Sequence, residues 1–397
     1  MSPTAAQALT GVRVLDLSRW VAGEFAARLF GDFGADVIKV ERPGQGSLTR
    51  LAGPGDVSDP DATALFLSLN VNKRGIALDL TDDADRAVLL DLVAGSDAVI
   101  ESFRPGALER LGLGPEVLRG RRPSLVLTRI SAFGQTGPYR DREATGIVLQ
   151  AMGGPMNATG QSDREPLRKP GYLEHYTIGR SAAAATMAGL LHARRTGRGS
   201  VIDVSGQEVL LGGADRRASY LLSAAYSGMT APRGARSPHR FGATFSGPMA
   251  TRDGHVMIYV TNQAFWDRMA RMIGAQYPEF AEEFVGQRVI MGADRDRFLS
   301  TCAEWFGERD KIAVMEEAER NRIPITAILS VREVFEHPHF RERGAFATID
   351  HPRAGRLEYT GAPFRMERGY ALHRPAPLLD EHRAEILADA HQMGAVG

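Results

Sequence analysis

Short apolar runs alternate with helical periodicity over the first 130 residues. Between the runs, apolar residues recur at helical spacing over 25–33, over 83–94 with Thr81 as the predicted N-cap, and from Ala107. Strands that alternate with helices predict βαβ units and a mostly parallel sheet, an α/β fold. The predicted strands cover residues 12–17, 36–41, 76–80, 97–103 and 124–130.

The second part of the chain has a different pattern. A helix rich in Ala, Leu and Met is predicted over 178–195 and is ended by Gly197, and a buried-type strand follows at 201–204. A stretch rich in Gly, Pro, Arg and Ser, residues 227–246, is the predicted domain boundary. Beyond it, a strand pair around Asp253-Gly254 and several helices predict a smaller α+β domain.

Composition excludes several classes of protein. The 397 residues carry 48 basic and 48 acidic side chains, and this balance does not favour binding to nucleic acid or to a membrane surface. No apolar stretch is long enough to span a membrane, and the first ten residues lack the order of a signal peptide. Cys302 is the only cysteine, so we expect no intrachain disulfide and a cytoplasmic location.

Familiar catalytic signatures are absent. The chain has no P-loop, no G-x-S-x-G nucleophile elbow and no G-x-G-x-x-G dinucleotide fingerprint. His337 and His339 flank Pro338, an arrangement more typical of a loop than of a metal site. We therefore expect no metal.

A set of arginines follows the predicted strands. Ligands of open α/β sheets lie outside the carboxyl ends of the strands, and arginine suits bidentate contacts to phosphate. Each arginine alone is more often part of a surface salt bridge, but the set together favours an anionic, phosphorylated ligand. Its members are Arg42, Arg74, Arg104 and Arg110.

The segment Glu174-His175-Tyr176 lies just before the long helix, which is predicted to start near Ile178. The helix dipole disfavours a charged imidazole there, whereas a neighbouring carboxylate favours it. A neutral His175 would serve as base or nucleophile, with Glu174 or Tyr176 orienting it. The alternative is a histidine that only caps or packs at the helix start.

Several motifs, in order, resemble one family across residues 9–383. The chain is identified by them as similar to the class III CoA-transferases, which include formyl-CoA and carnitine CoA-transferases and α-methylacyl-CoA racemase. The motifs are residues 9–16, 34–41, 72–74, 97–106, 133–138, 195–199, 253–254, 265–266, 323–324 and 374–379.

The resemblance implies a fold, a ligand and an assembly. It implies an interlocked homodimer of ring-like chains. In each chain a large domain (1–226 with the returning segment 324–397), whose N-terminal half is Rossmann-like, carries an inserted small α+β domain (227–323). It also implies a coenzyme A thioester as substrate, with a carboxylic acid as its partner. The residues that the resemblance places at the nucleotide end, together with the neighbouring Arg104, are Arg42, Leu78, Phe103, Ala107 and Arg110.

The chain departs from the family at the centre of the chemistry. The transferases carry a nucleophilic Asp where this chain has His175, and Glu174 takes that place only if the backbone slips by one residue. The racemases need a His-Asp pair where this chain has Thr145-Gly146, and the family's Gly-Pro after the first strand is here Gly23-Glu24.

Three functions follow from this departure. The first is an acyl-CoA enzyme that transfers CoA or acyl groups with His175 or Glu174 in place of Asp. The second is a repurposed hydrolase, lyase, isomerase or cyclase in which His175 is a general base. The third is a non-catalytic protein that binds CoA esters. The retained Glu-His pair favours an enzyme over simple loss of the nucleophile.

Overall fold

The chain forms two units in a computed structural model that describes residues 7–54, 58–160, 164–212, 217–228, 245–287, 292–366 and 374–394. One unit comprises Met1–Gly234 and Arg343–Gly397, and the other comprises Ala235–Glu342. Most of the predicted boundary segment, residues 229–244, lies outside the described residues. In the described part of the chain, no helix is long and apolar enough to cross a membrane.

The first unit is built on a six-stranded parallel sheet. Its strand order is β3-β2-β1-β4-β5-β6, the order of doubly wound dinucleotide-binding folds. The predicted α/β class with a parallel sheet is confirmed. The strands are β1 (Arg13–Asp16), β2 (Asp36–Glu41), β3 (Lys73–Ala77), β4 (Ala98–Glu101), β5 (Val126–Ser131) and β6 (Val201–Ser205).

Helices cover both faces of this sheet, and two apolar clusters lie between the layers. A short 3-10 helix covers Leu48–Leu51, and the antiparallel strands β10 (Phe346–His351) and β11 (Gly355–Thr360) form a separate hairpin. The helices of this unit are α1 (Val21–Asp32), α2 (Ala64–Asn70), α3 (Asp83–Ala94), α4 (Ala107–Arg110), α5 (Pro115–Arg121), α6 (Gly146–Met152), α7 (Leu173–Thr196), α8 (Gly206–Gly212), α9 (Arg217–Ser227) and α16 (Arg383–Gly394).

The second unit has its own core. An aromatic stack of Trp266 on Phe298, with ring centroids 4.4 Å apart, lies near its centre. Its strands form a three-stranded antiparallel sheet, β7 (Phe245–Thr251), β8 (Gly254–Val260) and β9 (Ile325–Ala327). Its helices are α10 (Gln263–Gly274), α11 (Pro278–Phe284), α12 (Gly292–Gly307), α13 (Lys311–Arg320), α14 (Val331–Glu336) and α15 (Pro338–Glu342).

Three local predictions need correction. Helix α3 is capped by Asp82, whose carboxylate accepts from the backbone N–H groups of residues 84 and 85, and not by Thr81. The third strand begins at Lys73, three residues before its predicted start. Helix α7 begins at Leu173, so His175 lies within its first turn and not ahead of it. Glu174 in that turn suits the positive end of the helix dipole, which explains why the helix extends this far.

Candidate active site

A pocket lies at the carboxyl ends of β1 to β4, where the strand order reverses. Open α/β sheets bind their ligands at this place because the loops on either side of the reversal diverge. Predicted contacts meet here: Arg42, Leu78 and Phe103 all line the pocket. The other lining residues are Leu17, Ser18, Arg19, Val40, Glu41, Gly46, Ser47, Asp79, Leu80, Thr81 and Leu111.

Arg19 gives this wall an unused donor. Its Nε is buried and has no hydrogen-bond partner among the described residues. A buried donor without an acceptor is costly, by about 1–3 kcal/mol. An anionic or strongly polar ligand in the pocket would remove this cost.

Two further guanidinium groups converge beside the pocket. A methyl group placed on Gly106, which precedes α4, would lie 3.2 Å from Nη1 of Arg110 and 3.3 Å from Nη2 of Arg140. Among the described residues, no carboxylate pairs with Arg110, and Arg140 has only Asp141 at 3.9 Å. Two cations at one point, with little compensation from the protein, suit a phosphate.

The remaining predicted contacts are placed differently. Ala107 opens α4 and is half-buried, whereas Arg104 is exposed and pairs with Glu143. Arg74 does not belong to the ligand site. It lies near the amino end of β3, buried in ion pairs with Asp36 and Asp389. The prediction for Arg74 was wrong because Arg74 is the second residue of β3 and so lies at the amino end of its strand, where acidic side chains pair with it.

A buried ionic cluster lies behind the pocket wall. Lys73 Nζ donates to Asp16 at 2.8 Å, to Asn70 Oδ1 at 2.8 Å and to the Glu24 carbonyl at 2.9 Å. Lys39 Nζ donates to the carbonyl of Ser18 and lies 3.3 Å from Glu24 Oε1. Although burial opposes it, the two ammonium groups hold the pKa of Asp16 below its usual value. The cluster therefore fixes the β1–α1 turn from behind.

Glu24, which stands where the family resemblance implies a proline, is part of this cluster. Its carboxylate accepts from the hydroxyls of Ser47 and Thr49, the latter at 2.7 Å, and from Asn70 Nδ2 at 3.1 Å. Because Ser47 lines the pocket, Glu24 connects the ionic cluster to the pocket wall. The departure at this position is thus filled by a fully hydrogen-bonded carboxylate.

His175 faces the same β1–α1 turn. Trp20 Nε1 donates to His175 Nε2 at 3.2 Å, and this bond requires Nε2 to be unprotonated. Burial lowers the pKa of His175, and Glu174 Oε1, 3.8 Å away, opposes this only in part. The neutral imidazole therefore carries its proton on Nδ1, which has no hydrogen-bond partner among the described residues.

Glu174 is clamped. Gln150 Nε2 donates to Glu174 Oε2 at 2.8 Å, while the Gln150 amide also exchanges two hydrogen bonds with the backbone of Lys169. A Cβ at Gly146 would lie 1.8 Å from Glu174 Oε1, so only glycine leaves room for the carboxylate. The Glu174 side chain is 4% exposed against 14% for His175, which makes His175 the more accessible group.

The contacts of Tyr176 indicate a packing role. Its ring meets Phe25 of α1 edge-on at 4.8 Å and packs with an apolar cluster that includes Leu65 and Leu69 of α2. Burial raises its pKa above the usual value for tyrosine. Tyr176 thus ties the first turn of α7 to α1 and α2.

The pocket and His175 are joined by three consecutive residues. Ser18 and Arg19 line the pocket, and Trp20 holds His175. Helices α1 and α7 pack closely beside this turn. A Cβ placed on Gly179 of α7 would lie 2.5 Å from the carbonyl oxygen of Ala22 in α1. The turn that lines the pocket therefore continues directly into the residue that bonds His175.

The sequence matches CoA-transferase family III over residues 9–383. The chain belongs to this family. Among its relatives, the succinyl-CoA:mesaconate CoA-transferase of Haloarcula hispanica is 33% identical, with 96% of each chain covered. The succinate–glutarate CoA-transferase of Agrobacterium fabrum is 31% identical over 98% of this chain and 96% of its own.

Solved structures agree with this assignment. A CAIB/BAIF family protein from Brucella suis superimposes with a TM-score of 0.84 at 30% identity, covering 97% of this chain and 100% of the other. The resemblance stated from the motifs is confirmed, and with it an enzyme of the class III CoA-transferase family.

Sequence reasoning missed several residues of the candidate site. Arg140 follows a Gly-Pro turn, with no strand to mark it, and Arg19 lies three residues after the end of β1. Gln150 gave no signal of its own, since its partners are 19 and 24 residues away. Arg42 was predicted because it follows a strand. The same criterion, applied to the first strand, would have found Arg19.

Proposed function

We propose that this enzyme transfers CoA between a short dicarboxylic acid and a CoA thioester. Relatives named for succinyl-CoA with mesaconate, and for succinate with glutarate, support this substrate class. The observation that carries the proposal is the continuity of the nucleotide pocket with His175 through residues 18–20. A CoA thioester needs such a path, from a phosphate-binding end to a reacting end.

The nucleotide end of CoA would lie in the pocket at the carboxyl ends of β1 to β4. We assign its phosphates to Arg42 and Arg110, with Arg140 added by its convergence on Gly106. Leu78 and Phe103 supply apolar walls for the base, and the chain of the ligand would pass Arg19. Charge-assisted hydrogen bonds to phosphate are each worth about 1.5–3 kcal/mol.

The chemistry would follow from the protonation state of His175. Because Trp20 occupies Nε2, the free Nδ1–H is a donor for the thioester carbonyl oxygen, where negative charge develops. The acceptor carboxylate attacks that carbonyl, the C–S bond breaks, and CoA leaves as a thiolate with an anhydride of the two acids remaining. The thiolate then attacks the acceptor's carbonyl, and the donor acid leaves as a carboxylate.

Glu174 and Tyr176 would act through His175. The Gln150 clamp and the space at Gly146 hold Glu174 still, so we assign it to positioning the imidazole and not to attack. Tyr176 secures the first turn of α7 against Phe25. No step in this scheme requires a carboxylate of the enzyme to take up CoA.

We also propose the interlocked homodimer that the family resemblance implies. Light scattering should give about twice the 43.1 kDa chain mass. A stable monomer would contradict the assembly and leave the site of the first unit to a single chain.

An exchange assay tests the function. The enzyme is incubated with succinyl-CoA and labelled glutarate, and the label should appear in the CoA thioester in step with the release of succinate. His175→Ala should slow the exchange by about 10² to 10³, whereas Arg252→Ala, at an exposed ion pair of the second unit, should leave its rate unchanged. Release of free CoA without labelled thioester would show a hydrolase instead.

A further inference from the structure

Arg129 on β5 connects the end of β4 with helix α4, two elements that lie beside the nucleotide pocket. Its Nε donates to Glu101 Oε1 at 2.8 Å, and its Nη1 and Nη2 donate to Glu109 Oε1 and Oε2 at 2.8 and 3.2 Å. The Arg129 side chain is 6% exposed and that of Glu101 is 1% exposed. All three hydrogen bonds are charge-assisted, and the contact to Glu109 is bidentate.

Each carboxylate controls a proposed CoA contact. Glu101 ends β4, and its second oxygen accepts from the backbone N–H of Phe103 at 2.6 Å, which fixes the turn that puts Phe103 in the pocket. Glu109 lies in α4, immediately before Arg110, in a helix of four residues. So short a helix has little stability of its own, and its position depends on contacts such as the one from Arg129.

We infer that Arg129 is a positioning residue for CoA, which holds the Phe103 wall and the Arg110 cation at a fixed spacing. The inference rests on the proposed function, because it assigns a purpose to the spacing that CoA would need. Arg129 itself does not line the pocket. Its register supports the role, since Glu101 and Arg129 are direct partners in the parallel pairing of β4 with β5.

The geometry is specific to arginine. A planar guanidinium reaches Glu101 with Nε and Glu109 with both terminal nitrogens at once, whereas the ammonium of a lysine is a single point charge. Arg129→Lys therefore keeps the buried positive charge beside Glu101 but cannot hold both elements. This variant separates positioning from simple charge compensation.

Isothermal titration calorimetry with CoA, together with steady-state kinetics, tests the inference. For Arg129→Lys we expect the Kd for CoA and the KM for the thioester to rise about tenfold or more, which corresponds to about 1.4 kcal/mol. The kcat should stay within about threefold, because His175 is untouched. The matched control is Arg122→Lys, since Arg122 pairs with Asp97 at the opposite, amino end of β4 and should bind CoA normally.

A second variant covers the case in which Arg129→Lys fails to fold. Glu109 is 42% exposed, so Glu109→Gln removes a charge from the α4 contact and leaves the buried Arg129–Glu101 pair intact. It should raise the Kd for CoA several-fold in a protein that is still folded at the temperature of the titration. CoA affinity equal to wild type in whichever variants fold would overturn the inference. A wild type that binds no CoA would overturn the proposed function and the inference together, which is a distinguishable result.

Discussion

Trp20 donates its indole N–H to Nε2 of His175 across 3.2 Å, joining residues 155 positions apart. The bond fixes the tautomer of the imidazole and stabilises its neutral form. It also connects the reacting group to the turn that lines the nucleotide pocket. His175 is therefore held as a neutral donor at the end of the proposed CoA path.

Trp20→Phe keeps an aromatic ring but removes this donor. Because the lost bond favoured neutral His175, we expect the pKa of His175 to rise towards its ordinary value and kcat/KM to fall about tenfold. The acid limb of the pH–rate profile should shift upward. Trp266→Phe is the matched control, since it removes an indole hydrogen bond in the second unit. An unshifted acid limb in Trp20→Phe would show that the indole does not tune His175.

His175→Ala should lower turnover by about 10² to 10³, the usual range for loss of a donor to a developing oxyanion. CoA affinity should stay unchanged, because the proposed phosphate contacts lie elsewhere. Protonation would place a hydrogen on Nε2 and break the bond from Trp20. Because burial lowers the pKa of His175, the resulting decline in the wild-type rate should be centred below 6.5. A decline centred above 6.5 would contradict the buried, neutral imidazole.

Replacing both Arg42 and Arg110 with Ala should weaken CoA binding by about a hundredfold or more, since each lost contact is worth about 1.5–3 kcal/mol. If the double variant reaches the wild-type kcat at saturating thioester, the defect lies in binding. The control pair is Arg252→Ala with Arg320→Ala, two exposed arginines of the second unit. Unchanged affinity in calorimetry of the Arg42/Arg110 variant would remove the phosphate assignment.

Burial raises the pKa of Glu101 to about 7, although Arg129 and the Phe103 N–H oppose the shift. Between pH 4.5 and 7 the unfolded chain has released this proton while the folded chain keeps it, so folding stability falls as pH rises. Relative to Glu101→Gln, the wild type should lose about 3 kcal/mol across this window in urea titrations. The hydrogen bond from Arg129 lowers the pKa of Glu109, so the comparison with Glu109→Gln should give the opposite slope. Relative to that variant, the wild type should gain folding stability as the pH rises. Parallel wild-type and Glu101→Gln curves would show that Glu101 is ionised throughout.

The sequence predicted most strands and helices because their signals are local. Residues 36–41 and 83–94 were assigned their observed bounds, since a β-branched run and an acidic first turn mark them. The parallel sheet then followed from the alternation of strands with helices, and the family resemblance supplied Phe103 and Leu78 in the pocket.

The missed features depend on distant partners. From the local sequence Arg74 resembles the ligand-binding arginines, yet it forms an ion pair with Asp389, which lies far along the chain. The Trp20–His175 bond and the Gln150–Glu174 clamp are set by the packing of α1, α6 and α7, which no local pattern encodes. In the sequence Arg129 is likewise an ordinary strand residue. Its role is visible only from its ion pairs with Glu101 and Glu109 in the folded chain.

A single turnover with ¹⁸O-labelled acceptor tests the central claim, that no carboxylate of the enzyme takes up CoA. Enzyme in excess is mixed with succinyl-CoA and glutarate labelled in its carboxylates, and the released succinate is weighed by mass spectrometry. Direct attack by the acceptor transfers one of its oxygens, so succinate should carry one ¹⁸O. Unlabelled succinate, with ¹⁸O recovered in a peptide that contains Glu174, would contradict the account and assign the family's covalent chemistry to that residue.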